Sequence, residues 1–268
     1  MSQQDSPMRA YIQEGHEGDP NYMSLNRTAH AFWERGYEVV RFNYPQLDEG
    51  FLDRGLLKFP DETIVAGGVS TVREALVRAG RPLPPMLDLP DELAPWIGRR
   101  WWESTLGEVR ALVNNRSDQL PLHIKPFNRH KLFKGGVIRE FRDLIASNAI
   151  ESDVPILVQE YVDFVSEWRA SVFRGRIVNV AHYLGDPLRF PDVEVMQAAQ
   201  DAFDNQPIAC GIDWGITSTG QTLIVEVNDS FALGNYGVRD QLHSVMIETR
   251  WREMMGLPDN GIGERYFW

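Results

Sequence analysis

The chain has 268 residues, 43% of them hydrophobic and 24% charged, enough for a sizeable core in one two-part unit or two small domains. A net charge of −11 and a pI near 5.0 argue against a broad electrostatic surface for nucleic acid or an anionic membrane, although a small basic channel stays compatible with them. The single cysteine, Cys210, excludes an internal disulfide framework. No apolar run has the length to span a bilayer, and Met1 to Pro7 lacks the apolar centre of a secretion signal, so the expectation is a cytoplasmic enzyme or binding protein.

Met8 to Gln13 is short and apolar and predicts a strand, closed by the Gly/Asp/Pro cluster of Gly15 to Pro20. Asn21 is placed to cap a helix running to Gly36, in which Tyr22, Leu25, Ala29, Phe32 and Trp33 recur at helical spacing. Tyr37 to Tyr44 reads as a strand ended by Pro45, and Thr63 to Ala66 as another. Gly67-Gly68 turns the chain into a helix near Ser70 to Arg78, which Gly80 stops. This alternation predicts an α/β domain with a parallel or mixed sheet. Proline is dense from Pro82 to Pro95, around a helical turn at Asp91 to Ala94, and a helix is expected near Trp101 to Val113. The polar break from Asn114 to Gln119 sets the expected boundary between residues 1–118 and 119–268.

The second part reads as α+β. Strands are expected at Leu122 to Lys125, Ile156 to Val162, Arg169 to Phe173, Ile177 to Tyr183, Ile208 to Trp214 and Thr222 to Asn228. A helix from Val193 to Phe203, entered through Pro191, interrupts them, and Val238 to Met255 closes the chain as a helix.

Side chains alternate along a strand, so in Leu223-Ile224-Val225-Glu226-Val227-Asn228-Asp229 the Glu226 and Asn228 side chains share one face. A carboxylate beside an amide oxygen suits magnesium, which takes few protein oxygens and completes its shell with phosphates and water. A solvated strand face is the plainer alternative. Asp213 lies on the preceding strand, joined through the Gly-rich turn Gly215 to Gly220. Antiparallel pairing would bring it to Glu226 and Asn228; otherwise it is a turn residue. Lys125 ends an apolar strand as a point charge suited to phosphate, and Lys131-Leu132-Phe133-Lys134-Gly135-Gly136 follows with two glycines that let backbone approach an anion. Val158 to Val162 can offer backbone groups to a base, and Glu167 and Arg169 share a strand face, where an ordinary ion pair is the competing account.

Taken in order, Lys125-Pro126, Lys131-x-Phe133-x-Gly135, Gln159-Glu160-Tyr161-Val162, Glu167-Trp168-Arg169, Asp213 and Glu226-Val227-Asn228-Asp229 resemble the ATP-grasp superfamily. They are most similar to its small clade named for one arginine and two lysines. The resemblance runs from Leu120 to Tyr236 and is most specific at Glu226 to Asp229 with Ala232 to Gly237. It implies two α+β halves clasping ATP about a hinge near residues 159–163, preceded by a small strand–helix domain. It implies phosphate binding by Lys125 and Lys131, and a flexible loop at Phe133, Lys134, Gly135 and Gly136. Adenine would pack at Gln159, Glu160, Tyr161 and Val162, with Glu167 near the ribose. Arg169 and Lys131 would serve phosphoryl transfer, and Asp213, Glu226 and Asn228 would hold Mg2+. Lys134 stands where a small or hydroxyl residue is expected, which leaves open whether Lys131 or Lys134 reaches the γ-phosphate.

The implied activity is ATP-dependent joining of a small-molecule or peptide carboxylate to an amine through an acyl phosphate. A phosphotransferase, a non-catalytic nucleotide-binding module and a nucleic-acid-end modifying enzyme are the alternatives, the last disfavoured by the acidic charge. The oligomeric state is left open, a homodimer included. His182, Asn235 and Tyr236 are candidates for the acceptor substrate, and His16 and Asp19 for a crevice at the first strand's end. Cys210 reads as a core residue, and Arg99-Arg100-Trp101-Trp102 as the packed face of an amphipathic helix.

Overall fold

The computed structural model describes residues 8–15, 22–127 and 132–264. Asn21, His16, Asp19 and Lys131 lie outside the described residues. In the amino-terminal layer, β1 (Arg9–Gln13) leads into α1 (Tyr22–Glu34) and β2 (Glu38–Phe42). The strand reading of residues 37–44 extends too far. Asn43 caps a further helix, α2 (Tyr44–Asp48), and Gln46 completes a reciprocal capping box. Pro45 therefore opens a helix rather than closing a strand, which suits a residue lacking an N–H. α3 (Asp53–Lys58) follows, then β3 (Thr63–Ala66) and α4 (Val69–Arg78). The three strands form a parallel sheet in the order β2-β1-β3, and all four residues of β3 are buried. Parallel strands joined by helical crossovers are covered on both faces, which explains the continuous apolar character of β3.

The Pro-dense segment connects this layer to the rest. It ends in a short α5 (Ala94–Ile97) and continues into β4 (Trp101–Thr105) and α6 (Leu106–Asn114). The helix expected from Trp101 therefore begins five residues later. Paired tryptophans followed by Ser104 and Thr105 favour extended backbone, and Thr105 with Glu108 makes the capping box that starts α6. Next come β5 (Leu122–Pro126), the short β6 (Gly136–Ile138) and β7 (Pro155–Glu160). Together with β4 these form an antiparallel sheet in the order β4-β7-β5-β6. Trp101 to Thr105 pair with Gln159 to Pro155. Hydrogen bonding thus places β4, and α6 packed on it, with the strand that carries Lys125, although both precede the boundary expected after residue 118.

The third sheet is antiparallel, ordered β11-β10-β8-β9, from β8 (Phe164–Phe173), β9 (Arg176–Gly185), β10 (Ala209–Thr217) and β11 (Thr222–Asp229). α7 (Val193–Ala202) covers one face, burying Met196 and Ala199 against Ile212 and Trp214. α8 (Asp240–Met254) returns across the molecule to the first layer. Its Ile247, Trp251 and Met254 join the core of the parallel sheet, and Trp251 Nε1 donates to the Thr63 carbonyl at 2.8 Å.

α8 also carries His243, which is buried with Nε2 2.9 Å from the Leu233 carbonyl. Burial holds this imidazole down at about 4, against about 6.5 in an unfolded chain. As pH falls, the unfolded chain takes up this proton first. The contribution to stability is therefore complete above about pH 6.5, falls progressively, and levels off below about pH 4. Between pH 6.5 and 5 the wild type should lose about 2 kcal/mol more stability than His243→Gln, read from urea midpoints at both pH values.

Candidate active site

The register of the third sheet builds one row of charge. Asp213 on β10 lies directly opposite Glu226 on β11 and Arg169 on β8. Arg169 grips Asp213 with two hydrogen bonds, Nε to Oδ1 at 2.6 Å and Nη2 to Oδ2 at 2.5 Å, with their side chains 9% and 3% exposed. The guanidinium also lies over the Tyr236 ring, 4.2 Å from its centroid. Asn228 Nδ2 donates to Glu226 Oε1 at 2.9 Å and more weakly to Asp213 Oδ2 at 3.4 Å. The sheet therefore brings together Arg169, Asp213, Glu226 and Asn228 as one cluster.

Lys125 reaches the cluster from the second sheet. Its Nζ donates to Glu226 Oε2 at 3.1 Å and to Asp88 Oδ1 at 2.6 Å. Asp88 belongs to the Pro-dense connector, and no local pattern marks it as a site residue. Its backbone bridges to Val227, whose N–H donates to the Asp88 carbonyl at 2.7 Å, and its Oδ2 is buried without a hydrogen-bond partner among the described residues. Burial alone would lower Lys125, but the Glu226 and Asp88 charges outweigh it and raise its pKa. Burial likewise opposes ionisation of Glu226, yet Lys125 and the Asn228 amide hold it below the usual range. Burial pushes Asp213 up to about 6 against the pull of Arg169, which still leaves it ionised at neutral pH.

Arg99 is the second residue that local pattern misses. It is half-buried and ties the two sheets together. Nη1 and Nη2 donate to the carbonyls of Ile224 and Val225, each at 2.7 Å, while Nε and Nη2 hold Gln159 Oε1 at 2.9 and 2.7 Å. Burial lowers its pKa to about 10, so it stays charged at pH 7. The run Arg99-Arg100-Trp101-Trp102 is thus no helix face. Trp101 and Trp102 are strand residues, and Arg99 turns inward.

Two cavities meet at this cluster. The larger, about 570 Å³, lies between the sheets and is lined by Arg99, His123, Val137, residues 159–164, Glu167, Tyr183 and Leu184. Gln159 faces Arg99 and Glu160 is paired with Arg100, so the backbone of Glu160 to Val162 and the rings of Tyr161 and Phe164 form that wall. Glu167 accepts from Tyr183 Oη at 2.6 Å. The smaller cavity, about 310 Å³, runs toward the amino-terminal layer past Lys125, Asp88 and Asn228. Lys134, Gly135 and Glu226 line both, so they mark the junction. Phe133 lines the smaller cavity. Gly135 lies against β5, where a Cβ would meet Lys125 Cβ at 3.0 Å and the Ile124 carbonyl at 3.1 Å. Lys134 is exposed, and Gly136 opens β6.

The candidate acceptor residues are placed differently. Tyr236 stacks on Arg169 at the cluster. Asn235 is bonded to Asp240 at the start of α8, and His182 packs edge-on against Trp168, away from both cavities. Cys210 is fully buried, and burial pushes its thiol up to about 12.

The cluster has the donor chemistry for a hard cation. Two carboxylates and an amide converge, and an Asn amide can be turned to present its oxygen where it now presents nitrogen. Among the described residues no three His, Cys, Asp or Glu side chains form a self-sufficient metal site. A cation here would take its remaining oxygens from a phosphorylated ligand and water.

The ATP-grasp domain model for the second family of the clade named for one arginine and two lysines matches residues 96–244, more than half of the chain. The chain belongs to this ATP-grasp family. No curated protein matches its sequence. Among solved structures, this ATP-grasp chain is similar to D-alanine–D-alanine ligase from Bacillus anthracis complexed with ATP. The identity is 15%, 94% of this chain and 99% of that one are covered, and the TM-score is 0.55. It is also similar to the L-amino acid ligase from Bacillus licheniformis, with 12% identity, coverage of 94% and 76%, and a TM-score of 0.58. D-cycloserine synthetase DcsG gives 13% identity, coverage of 88% and 98%, and a TM-score of 0.57. At these identities the likeness establishes the fold, and β4 with α6 falls inside the matched family region.

Proposed function

We propose that this chain is a Mg-ATP-dependent ligase that joins a small-molecule or peptide carboxylate to an amine through an acyl phosphate. The observation that carries this reading is the meeting of two cavities at Lys134, Gly135 and Glu226. One cavity has the size and walls for a nucleotide, and the other opens from its phosphate end toward the amino-terminal layer. Adenine would lie against Val137, Tyr161 and Phe164, with Glu167 at the ribose. Lys125, Lys134 and Arg99 would face the phosphates. Lys131 adds a further cation to the same loop in sequence.

A substrate carboxylate oxygen attacks the γ-phosphorus and ADP leaves, giving an acyl phosphate. The amine then attacks the acyl carbon, the phosphate oxygen leaves as inorganic phosphate, and the amine proton passes to water. Asp213, Glu226 and Asn228 would hold Mg2+, which would supply charge neutralisation on the transferring phosphate. Arg169, held rigid by Asp213 and Tyr236, places a fixed positive charge beside that centre and needs no reorganisation during the step. No nucleophilic side chain is required, which accords with the inert Cys210. The similar structures named above as ligases support the same class of reaction. The acidic net charge speaks against nucleic acid as substrate, and no helix of the described residues is long and apolar enough to cross a membrane. The need for ATP points to the cytoplasm.

The test follows ADP and phosphate from wild type with Mg-ATP and a pool of amino acids and small acids. The expected result is equimolar ADP and free phosphate that depend on the pool and vanish with EDTA. ADP accompanied by a stable phosphorylated product would favour a phosphotransferase. Failure to bind Mg-ATP would overturn both.

A further inference from the structure

The smaller cavity contains a cation that the phosphoryl site does not use. Arg73 projects from α4 into this cavity and does not line the larger one. It is half-buried, and its one hydrogen bond among the described residues is a long contact, 3.4 Å, from Nη1 to the Pro84 carbonyl. Arg78 on the same helix is paired with Asp48, Asp53 and Glu74, whereas Arg73 has no ion pair among the described residues. The acids that share its cavity each already hold another cation, although Asp88 does so through Oδ1 alone. Asp88 and Glu226 are held by Lys125, and Asp229 accepts from Arg250 at 2.8 and 2.5 Å. Val69, Pro85, Met86, Leu87 and Phe231 supply apolar walls around it.

A planar guanidinium in a partly apolar cavity, with most of its donors unspent among the described residues, matches a carboxylate by paired N–H···O bonds. We propose that Arg73 anchors a substrate carboxylate that survives the reaction. Resting on the ligase reading above, this makes the substrate class an amino acid, a short peptide or a dicarboxylic acid. The reacting carboxylate must reach the junction at Lys134 and Glu226. The group on Arg73, which lines only the smaller cavity, is therefore a different one. About 310 Å³ accommodates a compact substrate whose apolar part rests between Met86 and Phe231.

The experiment loads wild type, Arg73→Met and Arg73→Lys with Mg-AMPPNP. Each is titrated calorimetrically with amino acids and their carboxamides, and with dicarboxylic acids and their half-amides. The same compounds are then supplied with Mg-ATP, and ADP is followed. The inference expects the free acids to bind wild type and their amides to bind poorly. It expects Arg73→Met to weaken acid binding on the order of 10- to 100-fold, with AMPPNP affinity and melting temperature unchanged. Arg73→Lys should fall between. Whether amino acids or dicarboxylates respond tells which substrate carries the group. Equal binding of acids and amides, unchanged affinity in Arg73→Met, or no binding of any acid would each overturn it. Acids that bind through Arg73 without ADP release would leave the anchor standing and remove the ligase reading. ADP release with an unaltered KM in Arg73→Met would do the reverse.

Discussion

Arg169→Met should lower stability by about 3–5 kcal/mol, because it leaves the Asp213 carboxylate uncompensated in a setting where its side chain is 3% exposed. The magnitude reflects the broken partnership rather than the net worth of the ion pair, which desolvation reduces to far less. Arg169→Met combined with Asp213→Asn should therefore recover much of the loss, since both charges are then gone. Urea midpoints of the three proteins at pH 7.5 decide the matter. A single variant within about 1 kcal/mol of wild type would mean that Asp213 is not held ionised by Arg169, and the rigid-charge role assigned to the arginine would go with it.

Glu226→Gln should act on turnover more than on the fold. Lys125 keeps its 2.6 Å bond to Asp88, and the glutamine oxygen can still accept from Asn228. What disappears is the carboxylate at the junction of the two cavities. If that charge organises the cation at the transferring phosphate, ATP turnover in the pooled-acid assay should fall on the order of 10²- to 10³-fold. The urea midpoint should change little. Turnover within about tenfold of wild type would exclude Glu226 from the phosphoryl site.

The parts of this site that are legible in sequence are those fixed by local alternation. Glu226 and Asn228 share a face because they are two apart on a strand, and Asp213 reaches them through an antiparallel return whose turn, residues 218–221, is shorter than the Gly215 to Gly220 turn expected, since Gly215 is paired within β10. Arg169 can be placed on a strand face, but its partner depends on the β8–β10 register, which no local pattern encodes. Asp88 and Arg99 are illegible for the same reason in stronger form. Each acts through backbone of β11, far along the chain, and each sits in or just after a connector rich in proline, where periodicity carries no information. The Trp101 to Thr105 segment misleads because a helix and a short aromatic strand look alike over five residues, and pairing with β7 settles the difference. The polar break after residue 114 likewise carries no sign that β4, which precedes it, is hydrogen-bonded into the Lys125 sheet.

The return of α8 to the first layer has a temporal consequence. The strands β1 to β3 are all synthesised by residue 66, yet Trp251, Met254 and Met255 complete their core. At ribosomal rates this interval amounts to roughly 10–35 s. Through that time the nascent parallel sheet presents an apolar face with its permanent cover still unmade. A chaperone that holds extended apolar segments would find its opportunity there. Truncation before α8 should consequently be felt first in the amino-terminal layer, at the opposite end of the sequence.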